Sequence, residues 1–114
     1  MAEITMNHTS VQAAIAEMVE RIVQRFDPEK IILFGSHASG TAGPDSDVDL
    51  LVVMPVAGSK RTKAVEIDRA LADRRLPLDL IVVTPEEFER DRDQIGTVLR
   101  PAVREGRVVY ERAA

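Results

Sequence analysis

The chain has 114 residues, of which 45% are hydrophobic and 30% are charged, and it contains no cysteine. This length suits one domain over residues 1–114, and the lack of cysteine excludes disulfides and thiolate metal sites. The net charge of −4 argues against a general nucleic-acid-binding protein. Because the longest apolar runs have only about five residues, we expect no signal peptide, no membrane-spanning segment and a cytoplasmic location.

The first predicted element is an amphipathic helix. Hydrophobic residues recur at helical spacing from Val11 to Phe26, and Thr9 or Ser10 is the expected N-cap. Pro28 disfavours helical geometry in the residue before it, so the helix is expected to end there.

Two strands are predicted next, separated by a loop rich in Gly, Ser, Thr and Pro. The apolar run from Lys30 to Phe34 indicates a short strand, and Gly35-Ser36 breaks it. Residues 36–39 could form one helical turn. The second predicted strand, from Asp47 to Met54, is polar at its start and apolar after Leu50.

The next predicted elements are a helix and a third strand. A helix from about Thr62 to Arg74 is expected to bury Val65, Ile67 and Leu71 or a similar subset. Leu78 to Val83 is the third strand. Lys60, Arg61 and Lys63 follow the second strand and could reach phosphates, or they could belong to a solvated loop.

The C-terminal third of the chain predicts two helices and an edge strand. The segment 84–87, Thr-Pro-Glu-Glu, is a strong helix start. A last helix from about Thr97 to Glu105 is expected to end at Gly106 in a left-handed conformation, and residues 108–110 could add an edge strand. The alternation of elements predicts an α/β or α+β fold, a small mixed sheet with helices packed on one face.

Three acidic residues at the predicted strand starts are the candidate catalytic and metal-binding group. Asp47 and Asp49 lie two residues apart, so their carboxylates are expected on the same face of a strand. Asp79 interrupts an apolar run, where a charge is costly unless it is paired or metal-bound. Mg²⁺ prefers one or two carboxylates together with substrate phosphates, so a metal-assisted phosphate chemistry is expected here.

A second candidate feature directly follows the first strand. Gly35 lets the backbone approach a ligand closely, and the amides after it can open a short helix whose positive end attracts phosphate. The hydroxyl of Ser36 adds a neutral hydrogen bond to a phosphate oxygen. A phosphate site beside a metal site is typical of an enzyme that acts on a nucleotide.

The spacing of these residues, Gly35-Ser36, ten residues, then Asp47-Val48-Asp49, resembles the signature of the DNA polymerase β-like nucleotidyltransferase superfamily. The resemblance covers about residues 31–83, and at this length the chain is most similar to the minimal nucleotidyltransferases. The resemblance implies that Asp47, Asp49 and Asp79 bind Mg²⁺. Together the three carboxylates could hold two Mg²⁺ ions. It also implies Asp79 as the base and Gly35 and Ser36 as triphosphate contacts. One departure is His37, where many relatives have arginine.

The resemblance also implies a function, the transfer of AMP from ATP to a hydroxyl group with release of pyrophosphate. Minimal nucleotidyltransferases of this kind are known as antitoxins that modify a tyrosine of a HEPN-domain ribonuclease toxin. One alternative is a small-molecule enzyme of the aminoglycoside nucleotidyltransferase type, completed by a second subunit. Another is an antitoxin that acts by binding alone.

Overall fold

The computed structural model describes residues 8–43, 45–97 and 99–113 of the chain. Within these ranges the chain forms helices at α1 His8–Phe26, α2 Ser36–Ser39, α3 Lys60–Ala70, α4 Pro85–Asp91 and α5 Leu99–Glu105. The strands are β1 Lys30–Phe34, β2 Val48–Val53, β3 Leu78–Val83 and β4 Arg107–Glu111. This mixed sheet with packed helices confirms the predicted fold class. None of the helices so described has the length and apolar character needed to cross a membrane.

The four strands form one sheet in the order β3-β2-β1-β4. β2 and β3 run parallel, whereas β1 is antiparallel to both of its neighbours. In this register Asp49 pairs with Asp79 on one side and with Phe34 on the other. The end of β1 and the starts of β2 and β3 therefore meet at one end of the sheet, as the site prediction requires.

Helices cover both faces of the sheet, so the prediction of helices on one face is wrong. Alternate residues of β2 separate into two hydrophobic clusters, because successive side chains of a strand point to opposite faces. Leu50 packs with residues of α1 and α3, including Ile22 and Ile67. Leu51 packs on the other face with Phe88 of α4 and with α5. A short apolar strand with no alternation in its sequence is typical of burial on both faces.

The predicted boundaries are confirmed for β1 and β3 and shift by a few residues elsewhere. β2 is one residue shorter at each end than predicted, and α3 begins at Lys60 and ends at Ala70. Val65 is 45% exposed, so the prediction that it is buried is wrong, whereas Ile67 is fully buried. α1 already includes residues 9 and 10, so neither is its N-cap.

Gly106 ends α5, but for a different reason than predicted. Gly106 does not have a positive φ, unlike Gly35, Gly40, Gly58 and Gly96. A Cβ at this position would lie 2.1 Å from the carbonyl oxygen of Ala102, 2.9 Å from that of Leu33 and 2.8 Å from Cγ2 of Ile32. Glycine is therefore required by the close packing of the α5–β4 connection on β1.

Gly106→Ala is expected to destabilise the protein by roughly 1–3 kcal/mol, the usual range for adding a methyl group to packed surroundings. Gly43→Ala is the matched control, because a Cβ there would meet only Ser46 Oγ at 3.9 Å. Urea unfolding of both variants measures the difference. An equal free energy of unfolding in both would show that the backbone around Gly106 yields without cost.

The predicted start of α4 is confirmed in detail. Thr84 is the N-cap, its hydroxyl accepts the Glu87 amide hydrogen bond at 3.2 Å, and the Glu87 carboxylate accepts the Thr84 amide at 3.0 Å. The same carboxylate pairs with Lys60 at the start of α3. These contacts lower the pKa of Glu87 to about 2, with the hydrogen bond from Lys60 as the largest cause.

Glu87→Gln is expected to lower the free energy of unfolding near neutral pH. It is also expected to make that free energy depend less on pH in the acidic range. A carboxyl whose pKa falls from 4.5 to about 2 on folding stabilises the fold above pH 4.5, and this contribution is lost as the pH falls toward 2. Unfolding curves between pH 7 and pH 2.5 measure it, with the exposed Glu86→Gln as the control. Parallel pH profiles of wild type and Glu87→Gln would contradict the assignment.

Candidate active site

The three predicted carboxylates lie at the same end of the sheet. Asp49 stands in β2 directly beside Asp79 in β3, and Asp47 precedes β2 by one residue. Val48 between them is fully buried, so Asp49 belongs to the opposite face of the strand. Asp49 is half-buried, whereas Asp47 and Asp79 are exposed. The expectation that Asp79 carries a costly buried charge is therefore wrong, although its place in the group is as predicted.

Gly35 makes room for the carboxylate of Asp49. Its φ of 73° and ψ of −155° lie in a region that is essentially restricted to glycine. A Cβ at this position would stand 2.1 Å from Oδ2 of Asp49. The chain after β1 therefore turns in contact with Asp49, and no residue with a side chain fits there.

Ser36 begins the single helical turn α2, as predicted. Gly35 is its N-cap and supplies no side-chain hydrogen bond. The amides of Ala38 and Ser39 donate to the Gly35 carbonyl, each at 3.1 Å. The amides of Ser36 and His37 precede these bonds, in the part of a helix whose N–H groups have no intrahelical acceptor. This start of α2 lies one residue from the contact with Asp49.

The three carboxylates repel one another. The pKa of Asp49 is raised above its ordinary value, first by burial and then by the charges of Asp79 and Asp47. The ring of His37 acts in the opposite direction. Charges held together in this way are costly to the fold, and a cation would relieve the cost.

Comparison with known proteins agrees with this geometry. The family model described as "Nucleotidyltransferase domain" matches residues 15–109, which is most of the chain and includes every residue of the site. The chain belongs to the nucleotidyltransferase domain family. The resemblance predicted from the sequence is thereby confirmed at the level of the family.

Two solved structures show the same fold as this nucleotidyltransferase domain. One is a protein named a putative nucleotidyltransferase from Sulfolobus solfataricus, with a TM-score of 0.65 and 22% identity over 92% of this chain and 84% of that one. The other is described as a toxin-antitoxin with AMP-PNP, with a TM-score of 0.55 and 21% identity over 85% of this chain and 73% of that one. At these identities both likenesses concern the fold.

The donors of the candidate site match the preference of a hard cation only in part. Across residues 8–43, 45–97 and 99–113, no three acidic or histidine side chains are grouped closely enough to hold a metal ion. Mg²⁺ usually takes one or two protein carboxylates and completes its shell with water and substrate phosphates. Asp47 and Asp49 supply donors of that kind, and metal binding by them and by Asp79 stays a prediction.

The basic residues after β2 lie away from this site. Lys60 pairs with Glu87, and Lys63 pairs with Glu66 at 2.9 Å. Both belong to α3, which follows the far end of β2, about 13 Å from Asp49 at roughly 3.3 Å per residue. The structure therefore favours neither phosphate binding nor a solvated loop for residues 60–63.

His37 makes a contact that the sequence did not predict. Its Nε2 lies 3.1 Å from the carbonyl oxygen of Ser46, and this contact is partly buried. The sequence marks this position only as a departure from the arginine of many relatives. No pattern in it indicates that the ring reaches nine residues along the chain.

Proposed function

We propose that this protein is a Mg²⁺-dependent nucleotidyltransferase that transfers AMP from ATP to a hydroxyl group of a partner protein. The observation that carries the proposal is the set of Asp47, Asp49 and Asp79 at one end of β2 and β3, next to Gly35. The neighbouring charges and burial raise the pKa of Asp49. Such an arrangement costs stability and is explained by a cationic ligand.

Each residue has a chemical role in the proposed reaction. The amides after Gly35 and the hydroxyl of Ser36 bind the triphosphate. Asp47 and Asp49 hold Mg²⁺, which neutralises phosphate charge and orients the triphosphate. The acceptor oxygen forms a bond to the α-phosphorus, the bond between that phosphorus and the bridging oxygen breaks, and pyrophosphate leaves. Asp79, exposed beside Asp49, accepts the hydroxyl proton.

A protein acceptor suits the openness of this site. Asp47 and Asp79 are exposed, so a hydroxyl on another protein can approach them directly. The similar structure described as a toxin-antitoxin with AMP-PNP supports a toxin as the partner and an adenine nucleotide as the donor. We propose a HEPN-type ribonuclease toxin, which the modification of its tyrosine would neutralise.

Intact-mass spectrometry of the partner tests this proposal. A candidate HEPN-type partner protein is incubated with the nucleotidyltransferase, ATP and Mg²⁺. The expected result is the addition of one or more AMP units to the partner, which peptide mapping assigns to a tyrosine. Asp45 is an exposed acid of the loop before β2, and the Asp45→Asn variant is expected to retain the transfer. The Asp47→Asn, Asp49→Asn double variant is expected to abolish it.

Two results would contradict the proposal in different ways. A stable complex with no mass change under any nucleoside triphosphate would indicate an antitoxin that acts by binding. Transfer to an aminoglycoside or another small alcohol, with none to the partner, would indicate the small-molecule alternative.

A further inference from the structure

The segment that carries Asp47 is fixed to the rest of the site by two hydrogen bonds of its backbone. The Ser46 carbonyl, in the peptide unit before Asp47, accepts from Nε2 of His37 at 3.1 Å. The Val48 amide, in the peptide unit after Asp47, donates to the Pro77 carbonyl at 2.8 Å. Both peptide planes that flank Asp47 are therefore held, and together they determine its backbone angles.

The position of the Asp47 side chain depends on these bonds. The side chain is exposed, and the backbone fixes the point from which its carboxylate extends. His37 belongs to α2, one residue after Ser36 and directly after the turn at Gly35. The bond from His37 to Ser46 thus sets the distance between the start of α2 and the Asp47 segment.

The ring acts here as a hydrogen-bond donor. A carbonyl oxygen can only accept, so Nε2 of His37 must carry the proton in this contact. The loop it closes is further shaped by a turn in which the Ser46 amide donates to the Gly43 carbonyl at 3.2 Å. The Ser46 hydroxyl accepts the Gly43 amide at 2.8 Å. Ser46 is therefore held in place by His37 and by Gly43, and it directly precedes Asp47.

We propose that His37 is a positioning residue that acts through Ser46 to hold Asp47 relative to the start of α2. The proposal rests on the proposed nucleotidyl transfer for its effect on rate, but its structural part is independent of that activity. It assigns to His37 a role different from direct contact with phosphate.

Three substitutions separate these roles. His37→Leu removes the hydrogen-bond donor to Ser46, and His37→Gln places an amide N–H near the position of Nε2. His37→Arg introduces a permanent positive charge. The first readout is the amide hydrogen exchange of Ser46 and Val48 without nucleotide. His37→Leu is expected to speed this exchange about fivefold, the effect of one typical hydrogen bond, and His37→Gln is expected to stay within about twofold of wild type.

The second readout is the kinetics of AMP transfer. For His37→Leu, kcat is expected to fall about tenfold while KM for ATP changes less than about threefold, because transition-state alignment is lost rather than nucleotide binding. His37→Gln is expected to restore kcat. Rescue by His37→Arg but not by His37→Gln would overturn the proposal in favour of phosphate contact. Unchanged amide exchange in His37→Leu would overturn the proposed role of His37, whether or not the wild-type protein transfers nucleotide. A lack of transfer by the wild-type protein would by itself refute only the proposed function.

Discussion

Asp47→Asn and Asp49→Asn are each expected to reduce nucleotidyl transfer by at least about 100-fold, since each removes a charge that holds the metal and the triphosphate in the proposed reaction. The double variant is expected to show no transfer. Initial rates of pyrophosphate release with the partner protein measure the loss. Asp45→Asn, which lies in the loop before β2 and changes the net charge by the same amount as either single substitution, is expected to retain wild-type activity.

The same substitution at Asp49 is expected to raise stability. The folded-state pKa of this carboxyl lies above its ordinary value of 3.8 because of burial and the charges of Asp79 and Asp47. Its ionisation therefore opposes folding, and the cost is fully present once the pH has risen above the folded pKa. Asp49→Asn removes the cost, so its free energy of unfolding near pH 7 is expected to exceed that of wild type, with equal stability near pH 3. A loss of activity accompanied by a loss of stability would indicate a structural role instead.

Gly35→Ala is expected to be the most damaging single-methyl change in the site. The added Cβ would lie 2.1 Å from Oδ2 of Asp49, in a backbone conformation that only glycine adopts easily. We expect a stability loss of about 1–3 kcal/mol from the backbone alone. Displacement of the Asp49 carboxylate is expected to lower transfer at least about 100-fold.

Gly58→Ala separates these two effects. Gly58 also has a positive φ, of 105°, but a Cβ there would meet nothing within 4 Å, and it follows the opposite end of β2. Its variant is expected to lose stability and keep the kcat of wild type. Equal kcat for Gly35→Ala and Gly58→Ala, measured below the unfolding transition of each, would contradict the assigned contact between Gly35 and Asp49.

Local signals in the sequence predicted the elements that define the site. The strand bounds of Lys30–Phe34 and Leu78–Val83 follow from apolar runs ended by glycine or proline, and both are confirmed. The cap at Thr84 is likewise a local pattern of a few residues. The spacing from Gly35 to Asp49 predicted that these two residues lie together, because Gly35 directly follows β1 and Asp49 lies in the neighbouring strand β2.

Features that depend on packing between distant segments were not predictable in this way. Placement of helices on both sheet faces depends on which strands are central, and a continuous apolar run does not show this. In the sequence, Gly106 has the pattern of an ordinary helix end. In the structure, glycine is required there because the backbone of Leu33 on β1 lies so close. The bond from His37 to Ser46 closes a loop whose path is set by β2.

Binding of a non-reactive nucleotide tests the central claim most directly. The α,β-methylene analogue of ATP is suitable because nucleotidyl transfer breaks the α–β bridge. Calorimetric titration into the wild-type protein is expected to show binding that requires Mg²⁺ and is abolished by EDTA. Binding is expected to persist in Asp45→Asn and to be lost in the Asp47→Asn, Asp49→Asn double variant. Equal affinity with EDTA, or undiminished binding by the double variant, would contradict the assignment of this end of the sheet as a metal-triphosphate site.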